Sequence, residues 1–172
     1  MKTAVAPSRL LIEPLERRHD RSAFACGIEP LDAYFRDRAF QDMKRNIATV
    51  FVAVEQATGN VCGYYTLSMA SVVLDLLPEA LARKMPRYPA VPAIRLGRLA
   101  VHLKAGNQGL GTHLLMDAMK RSVRNEVAWA AFIVDAKDGK AAGFYRKFGF
   151  HSFIDDPCHL FIMRKTIEPL FS

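Results

Sequence analysis

Residues 100–120 read AVHLKAGNQGLGTHLLMDAMK, and this stretch decides the fold. Leu96, Leu99, Ala100 and Val101 make an apolar run that predicts a strand. It breaks at Lys104-Ala105-Gly106-Asn107-Gln108-Gly109-Leu110-Gly111, and apolar residues then return at helical spacing: Leu110, Leu114, Leu115, Ala118 and Met119. A glycine-rich turn from a strand into a helix leaves several backbone N–H groups unpaired and pointing the same way. With the positive end of the helix dipole they form a site for phosphate oxygens. The expected ligand is phosphorylated.

Several phosphate-binding loops share that architecture. A nucleoside-triphosphate loop needs GxxxxGK[ST], and here Thr112 follows Gly111 with no lysine between. The dinucleotide fingerprint GxGxxG is absent too, because the glycines fall at 106, 109 and 111, past the middle of the chain. The structural alternative is a Gly-Asn turn that only starts a helix. Further along, Phe132-Ile133-Val134-Asp135-Ala136 predicts a buried strand ended by Lys137-Asp138-Gly139. Ala141-Ala142-Gly143-Phe144-Tyr145-Arg146-Lys147-Phe148-Gly149-Phe150 then reads as a short helix closed by glycine.

These two segments carry a resemblance. The glycine turn is similar to the (Gln/Arg)-x-x-Gly-x-(Gly/Ala) pattern that holds the pyrophosphate of acetyl-coenzyme A in the GNAT N-acetyltransferase superfamily. Gly109 and Gly111 match its second half; Gly106 stands where Gln or Arg is usual, and Asn107 where glycine is common. The later helix resembles the FY-x-x-x-GF segment whose tyrosine donates a proton to the departing thiolate, which makes Tyr145 the expected catalytic acid. A phenol with an ordinary pKa near 10 keeps its proton at neutral pH and can hand it to a thiolate within hydrogen-bond reach. The alternative for Tyr145 is packing beside Phe144, Phe148 and Phe150.

Length and composition agree with one GNAT domain over residues 1–172. The chain is long enough for a full core, and 51% apolar residues argue against disorder. No run approaches the ~20 apolar residues that span a bilayer, and the N-terminus lacks the apolar stretch of a secretory signal. Cys26, Cys62 and Cys158 are odd in number and widely spaced, which predicts reduced, buried thiols in a cytoplasmic protein. The five histidines show no ligand spacing, so no metal is expected. His102 could reach a substrate amine or be a satisfied structural group.

Coarse organisation follows from periodicity. Arg9 to Leu15 predicts a first strand, and Pro30 opens one amphipathic helix, LDAYFRDRAFQDMKR. Ala48 to Glu55 and Val61 to Met69 predict a hairpin about Thr58-Gly59-Asn60. Val72 to Leu81 is apolar. The prolines of residues 85–92 forbid regular structure there and lead the chain extended into a core strand from Ile94 to His102. His159 to Lys165 predicts a last strand. The expected class is α/β (α+β), a mixed, mostly antiparallel sheet flanked by helices.

The resemblance narrows to one branch of the superfamily. Phe24-Ala25-Cys26-Gly27, Leu31-Asp32-Ala33-Tyr34-Phe35, Ala39 with Gln41-Asp42, Gly63-Tyr64-Tyr65-Thr66-Leu67-Ser68, Pro86-Arg87-Tyr88-Pro89 and Gly97-Arg98-Leu99-Ala100-Val101 fall in the order seen in GNAT toxins of toxin–antitoxin pairs. That resemblance implies a bacterial enzyme acetylating the free α-amine of aminoacyl-tRNA, a ribbon-helix-helix antitoxin as partner, and a homodimer. It also implies coenzyme contacts at Leu99, Ala100, Val101, Asn107, Gln108, Gly109, Leu110, Gly111, Thr112 and Phe144, with the Val101 N–H facing the thioester oxygen.

A net charge of +7 is consistent with RNA, though coenzyme phosphates and solvated helix faces also draw arginine. Arg83, Lys84, Arg87, Arg146 and Lys147 are the expected tRNA contacts. Tyr64, Tyr65 and Tyr88 could stack on a nucleotide or fill the core. Leu74, Leu76, Leu77 and Leu81 could serve a dimer contact or the core. Two further readings stay open: a GNAT enzyme for a metabolite or peptide amine, and a GNAT fold that binds without catalysis.

Overall fold

The computed structural model describes residues 9–106 and 109–172. In chain order the elements are β1 (Leu10–Pro14), α1 (Glu29–Asp37), α2 (Ala39–Lys44), β2 (Thr49–Glu55), β3 (Val61–Val73), α3 (Glu79–Ala82), β4 (Ala90–Val101), α4 (Leu110–Val123), β5 (Ala131–Asp135), α5 (Gly139–Arg146), β6 (His151–Ser152), β7 (His159–Met163) and α6 (Arg164–Ile167). The strands form a seven-stranded sheet ordered β1-β2-β3-β4-β5-β7-β6. β1 with β2, β2 with β3, β5 with β7 and β6 with β7 pair antiparallel, while β4 and β5 are parallel. The mixed, mostly antiparallel sheet expected from the sequence is present.

The chain divides into two compact units, residues 1–67 with 98–117 and residues 68–97 with 118–172. In the first, Phe24, Tyr34, Phe35, Val50, Val52, Val54, Tyr64 and Ala100 share one core. Phe35 stacks on Tyr64 with centroids 4.4 Å apart, and the Tyr64 hydroxyl donates to the Leu31 carbonyl at 2.7 Å. The Tyr65 hydroxyl donates to Asp117, and both tyrosines are fully buried, so they are core rather than stacking platforms. Gly63 is required here: a Cβ would lie 2.9 Å from Leu114 Cδ1 and 3.0 Å from the Ala100 carbonyl oxygen.

In the second unit, Val72, Leu77, Val91, Ala93, Ala131, Ile133, Phe153 and Phe161 make the core, with Leu74, Leu76 and Leu81 packed against it. The four leucines therefore serve this core. The Trp129 Nε1–H donates to the Ser122 carbonyl at 2.8 Å, tying the segment before β5 to the last turn of α4.

Four expectations are corrected. The helix from Leu31 to Arg45 is two helices broken at Arg38, whose φ of −123° leaves the helical region. At 100° per residue an unbroken helix carries its later residues round its axis. The change of direction keeps Ala39, Phe40 and Met43 on the cluster that Tyr34 and Phe35 occupy. Pro92 lies inside β4 rather than before it, because the position uses only its carbonyl, which accepts from the Ala130 N–H at 2.8 Å. The last strand stops at Met163, where α6 begins. The three cysteines are free, as expected, but half-buried rather than buried.

Candidate active site

The turn after β4 is held from both sides within the first unit. The His102 N–H donates to the Cys62 carbonyl at 2.8 Å and the Leu103 N–H to the Ala25 carbonyl at 2.9 Å. His102 Nδ1 accepts from the Lys104 N–H at 3.1 Å, which places the ring proton on Nε2, 3.2 Å from the Ala23 carbonyl. Both ring nitrogens are engaged, so His102 is a structural group.

Gly109 has φ +73°, a conformation that disfavours any side chain, and it aims the chain into α4. The His113 N–H donates to the Gly109 carbonyl at 3.1 Å as the first bond of that helix. The N–H groups of Leu110, Gly111 and Thr112 precede it and have no acceptor within the helix. Leu110 is buried and Gly111 and Thr112 are half-buried, which leaves a short cradle of main-chain donors at the positive end of a 14-residue helix. Asn107 and Gln108, expected to share in it, lie outside the described residues.

In the second unit, the β4–β5 ladder contains the pairs Ala93↔Ala131, Ile94↔Phe132, Arg95↔Ile133 and Leu96↔Val134, and it stops there. After β5, the Asp138 carboxylate caps α5 by accepting from the Ala141 N–H at 2.8 Å. Tyr145 sits on the buried side of α5 with 6% of its surface exposed. Its ring meets Phe144 at 5.1 Å and Phe150 at 5.5 Å, both edge-on. Burial alone pushes its phenol above the ordinary value. A phenol in that setting stays protonated throughout the neutral range, so it can donate a proton and cannot act as a phenolate base. Phe144 is half-buried between Tyr145 and Phe148.

The expected cationic contacts differ from one another. Arg83, Arg87 and the exposed Tyr88 line an open groove of about 900 Å³ together with Leu74, Met85 and Ile154. Arg83 also pairs with Glu79. Lys84 and Lys147 are exposed. Arg146 is tied down, donating to Ser152 Oγ at 2.9 Å and to the Pro157 carbonyl at 2.7 Å.

A further basic cluster is not visible in the sequence as a cluster. Arg17, Arg21 and Lys44 all lie 5.5–5.7 Å from the centre of the Phe40 ring. Neighbouring Arg18 pairs with Glu13 and Glu16, and Arg36 with Asp37. Only the break at Arg38 reveals how α2 brings Lys44 to the loop carrying Arg17. Among the described residues no group of histidine, cysteine or acidic side chains is arranged to hold a metal ion, and no helix is long and apolar enough to cross a membrane.

Residues 46–152 match the acetyltransferase (GNAT) domain family. The chain is 36% identical over 153 residues to a tRNA-acetylating toxin of Mycobacterium tuberculosis (strain ATCC 25618 / H37Rv), covering 88% of this chain and 90% of the relative. The structure resembles AtaT complexed with acetyl-methionyl-tRNAfMet, with TM-score 0.87 and 29% identity, covering 95% of this chain and all of that one. It also resembles a tyrosine-to-phenylalanine mutant of the AtaT toxin bound to the C-terminus of the antitoxin AtaR and acetyl-CoA. There the TM-score is 0.79 at 27% identity, over 95% of this chain and 98% of the other. With a domain match across more than half its length and a relative this similar over most of the rest, the chain belongs to the GNAT acetyltransferase family.

Proposed function

We propose that this protein is a toxin that transfers the acetyl group of acetyl-coenzyme A to the free α-amine of aminoacyl-tRNA, blocking translation. The observation that carries this reading is the likeness, over nearly the whole chain, to AtaT in complex with acetyl-methionyl-tRNAfMet. Main-chain N–H groups at Gly109, Leu110, Gly111 and Thr112, with Asn107 and Gln108, hold the pyrophosphate. Leu99, Ala100 and Val101 offer backbone groups to the pantetheine arm, with Phe144 against the coenzyme, and the Val101 N–H stabilises the oxyanion.

The amine attacks the thioester carbonyl directly. A C–N bond forms, the C–S bond breaks, and the departing thiolate takes the Tyr145 phenolic proton, while the nitrogen sheds one proton to water and Tyr145 regains one from water. An α-amine with a pKa of about 7.7–8.0, lowered further by the adjacent ester, is already partly neutral at physiological pH, unlike a lysine near 10.4. This chemistry favours the aminoacyl end over a protein side chain.

Arg83, Lys84, Arg87, Arg146 and Lys147 remain the proposed contacts for the acceptor end. Arg146 acts there by bracing β6 and the loop after it through Ser152 and Pro157, and Tyr88 supplies a face for stacking. Arg17, Arg21 and Lys44 about Phe40 suit the phosphate backbone. We further assign an antitoxin partner of ribbon-helix-helix type, a homodimeric state and a cytoplasmic location, where charged tRNA is consumed; likeness to an AtaT structure holding the C-terminus of its antitoxin supports an antitoxin partner.

The test mixes the protein, acetyl-coenzyme A and a pool of charged tRNAs and looks for acetylated aminoacyl ends. Acetylated ends are expected. Turnover on a polyamine or peptide with none on charged tRNA overturns the reading.

A further inference from the structure

In the second unit, β4, β5 and β7 each bring one polar side chain to the place where the β4–β5 ladder stops. Asp135 is the last residue of β5 and faces His159 directly across the β5–β7 ladder. Arg95 pairs with Ile133, two residues earlier on the same face, which makes it the diagonal neighbour of Asp135. The distances are 3.5 Å from His159 Nε2 to Asp135 Oδ1 and 3.9 Å from Arg95 Nε to Asp135 Oδ2. Both are too long for well-formed hydrogen bonds. Arg95 Nε and His159 Nε2 are nonetheless buried atoms with no hydrogen-bond partner. Buried donors lacking acceptors are uncommon in native structures and call for an explanation.

The ring of His159 is fixed. It packs on Phe153 with centroids 4.1 Å apart, and its Nδ1 lies 3.8 Å from Asp155 Oδ1. The Asp135 side chain, by contrast, is 61% exposed and open to a visitor. One carboxylate flanked by the Arg95 Nε–H and, in the tautomer that carries its proton there, the His159 Nε2–H matches a cation with a hydrogen-bond acceptor three bonds away. A simple anion would meet Asp135 repulsively, and an isolated ammonium would leave both donors unanswered. An α-aminoacyl ester supplies both partners: its ammonium for the carboxylate, its ester carbonyl for the N–H groups.

We propose that Asp135, with Arg95 and His159, docks the α-ammonium and ester carbonyl of the acceptor before acetyl transfer. This rests on the aminoacyl-tRNA reading above and adds the residues that read the reactive end. The ammonium donates to Asp135 Oδ, the carbonyl accepts from Arg95 Nε–H or His159 Nε2–H, and the docked group gives one proton to the water that reaches the exposed Asp135 before the neutral amine attacks. The group that distinguishes an amino acid from a hydroxy acid is then recognised by a single charge.

The experiment uses the full-length protein and its Asp135→Asn, Asp135→Glu and Arg95→Met variants. Binding of aminoacyl-tRNA, and of the same tRNA carrying the corresponding α-hydroxy acid, is measured without acetyl-coenzyme A; steady-state kinetics are then measured with it. A charge-assisted hydrogen bond predicts that the native protein favours the amine by about 10-fold or more. Asp135→Asn should bind the two tRNAs alike and raise KM for charged tRNA about 10-fold, with KM for acetyl-coenzyme A and Tm unchanged. Asp135→Glu should restore the preference, and Arg95→Met should weaken both tRNAs equally. An Asp135→Asn protein that keeps the native preference and KM overturns the inference alone. A native protein that acetylates no charged tRNA overturns the functional reading and the inference together.

Discussion

The two segments that follow β4 and β5 solve different problems with different parts of the chain. The turn into α4 offers main-chain N–H groups, and the side chains around it serve mainly to hold the backbone: His102 bonds to Ala23 and Lys104, and Gly109 sits at positive φ. The α5 segment offers one side chain, Tyr145, set among aromatic rings that exclude water and keep its proton on. A site made of backbone tolerates sequence change as long as its path is kept. A site made of one hydroxyl does not. The contrast explains why Gly106 can replace the usual Gln or Arg without removing the cradle, since amide donors survive any side-chain exchange.

The largest effect that tests the contrast is removal of the hydroxyl. Tyr145→Phe should lower kcat by about 10²–10⁴-fold, as loss of a positioned general acid does, with acetyl-coenzyme A binding by calorimetry retained. Retained turnover would break the comparison at its side-chain end. Next, Gly63→Ala should destabilise the fold by about 1–3 kcal/mol in denaturant titration, because the added methyl meets the Ala100 carbonyl oxygen at 3.0 Å. Gly109→Ala forces a side chain into the left-handed region at about 1–2 kcal/mol. It should therefore weaken acetyl-coenzyme A binding roughly 10-fold while sparing the chemical step.

A smaller effect lies at alkaline pH. Burial raises the Cys26 thiol to about 11 and the Tyr34 phenol to about 12. Both are raised, so the unfolded chain gives up these protons first. The stabilisation is complete below the ordinary values, near 8.5 for Cys and 10 for Tyr. It is lost as pH climbs through about 11 for Cys26 and then about 12 for Tyr34. The denaturant midpoint should hold steady up to about pH 8 and then fall, with Cys26→Ala removing the earlier part of the fall. The smallest effect is expected from Asn107→Ala with Gln108→Ala, where a main-chain cradle predicts a change in acetyl-coenzyme A KM within about 2-fold. A tenfold rise would show that side chains share the work.

Periodicity made much of the architecture legible. The hairpin about Gly59, α4 and β5 stand close to where their apolar spacing put them. The break at Arg38 left no trace because no glycine or proline marks it; tertiary packing of Phe40 and Met43 decided it. Pro92 misled because its missing N–H argues against a strand, yet only its carbonyl is used there. At the candidate site, both motifs were readable as local strings. The meeting of Arg17, Arg21 and Lys44 on Phe40, and of Arg95, Asp135 and His159 at a ladder end, depends on which distant residues share a surface.

Gly63 lets Leu114 and the Ala100 carbonyl come so close that even an added Cβ would press on both. A close seat of this kind favours a helix whose first turn needs little rearrangement when a nucleotide arrives. Little conformational freedom is then forfeited on association, and the coenzyme should find its berth with fast, single-step kinetics and no slow isomerisation trailing behind.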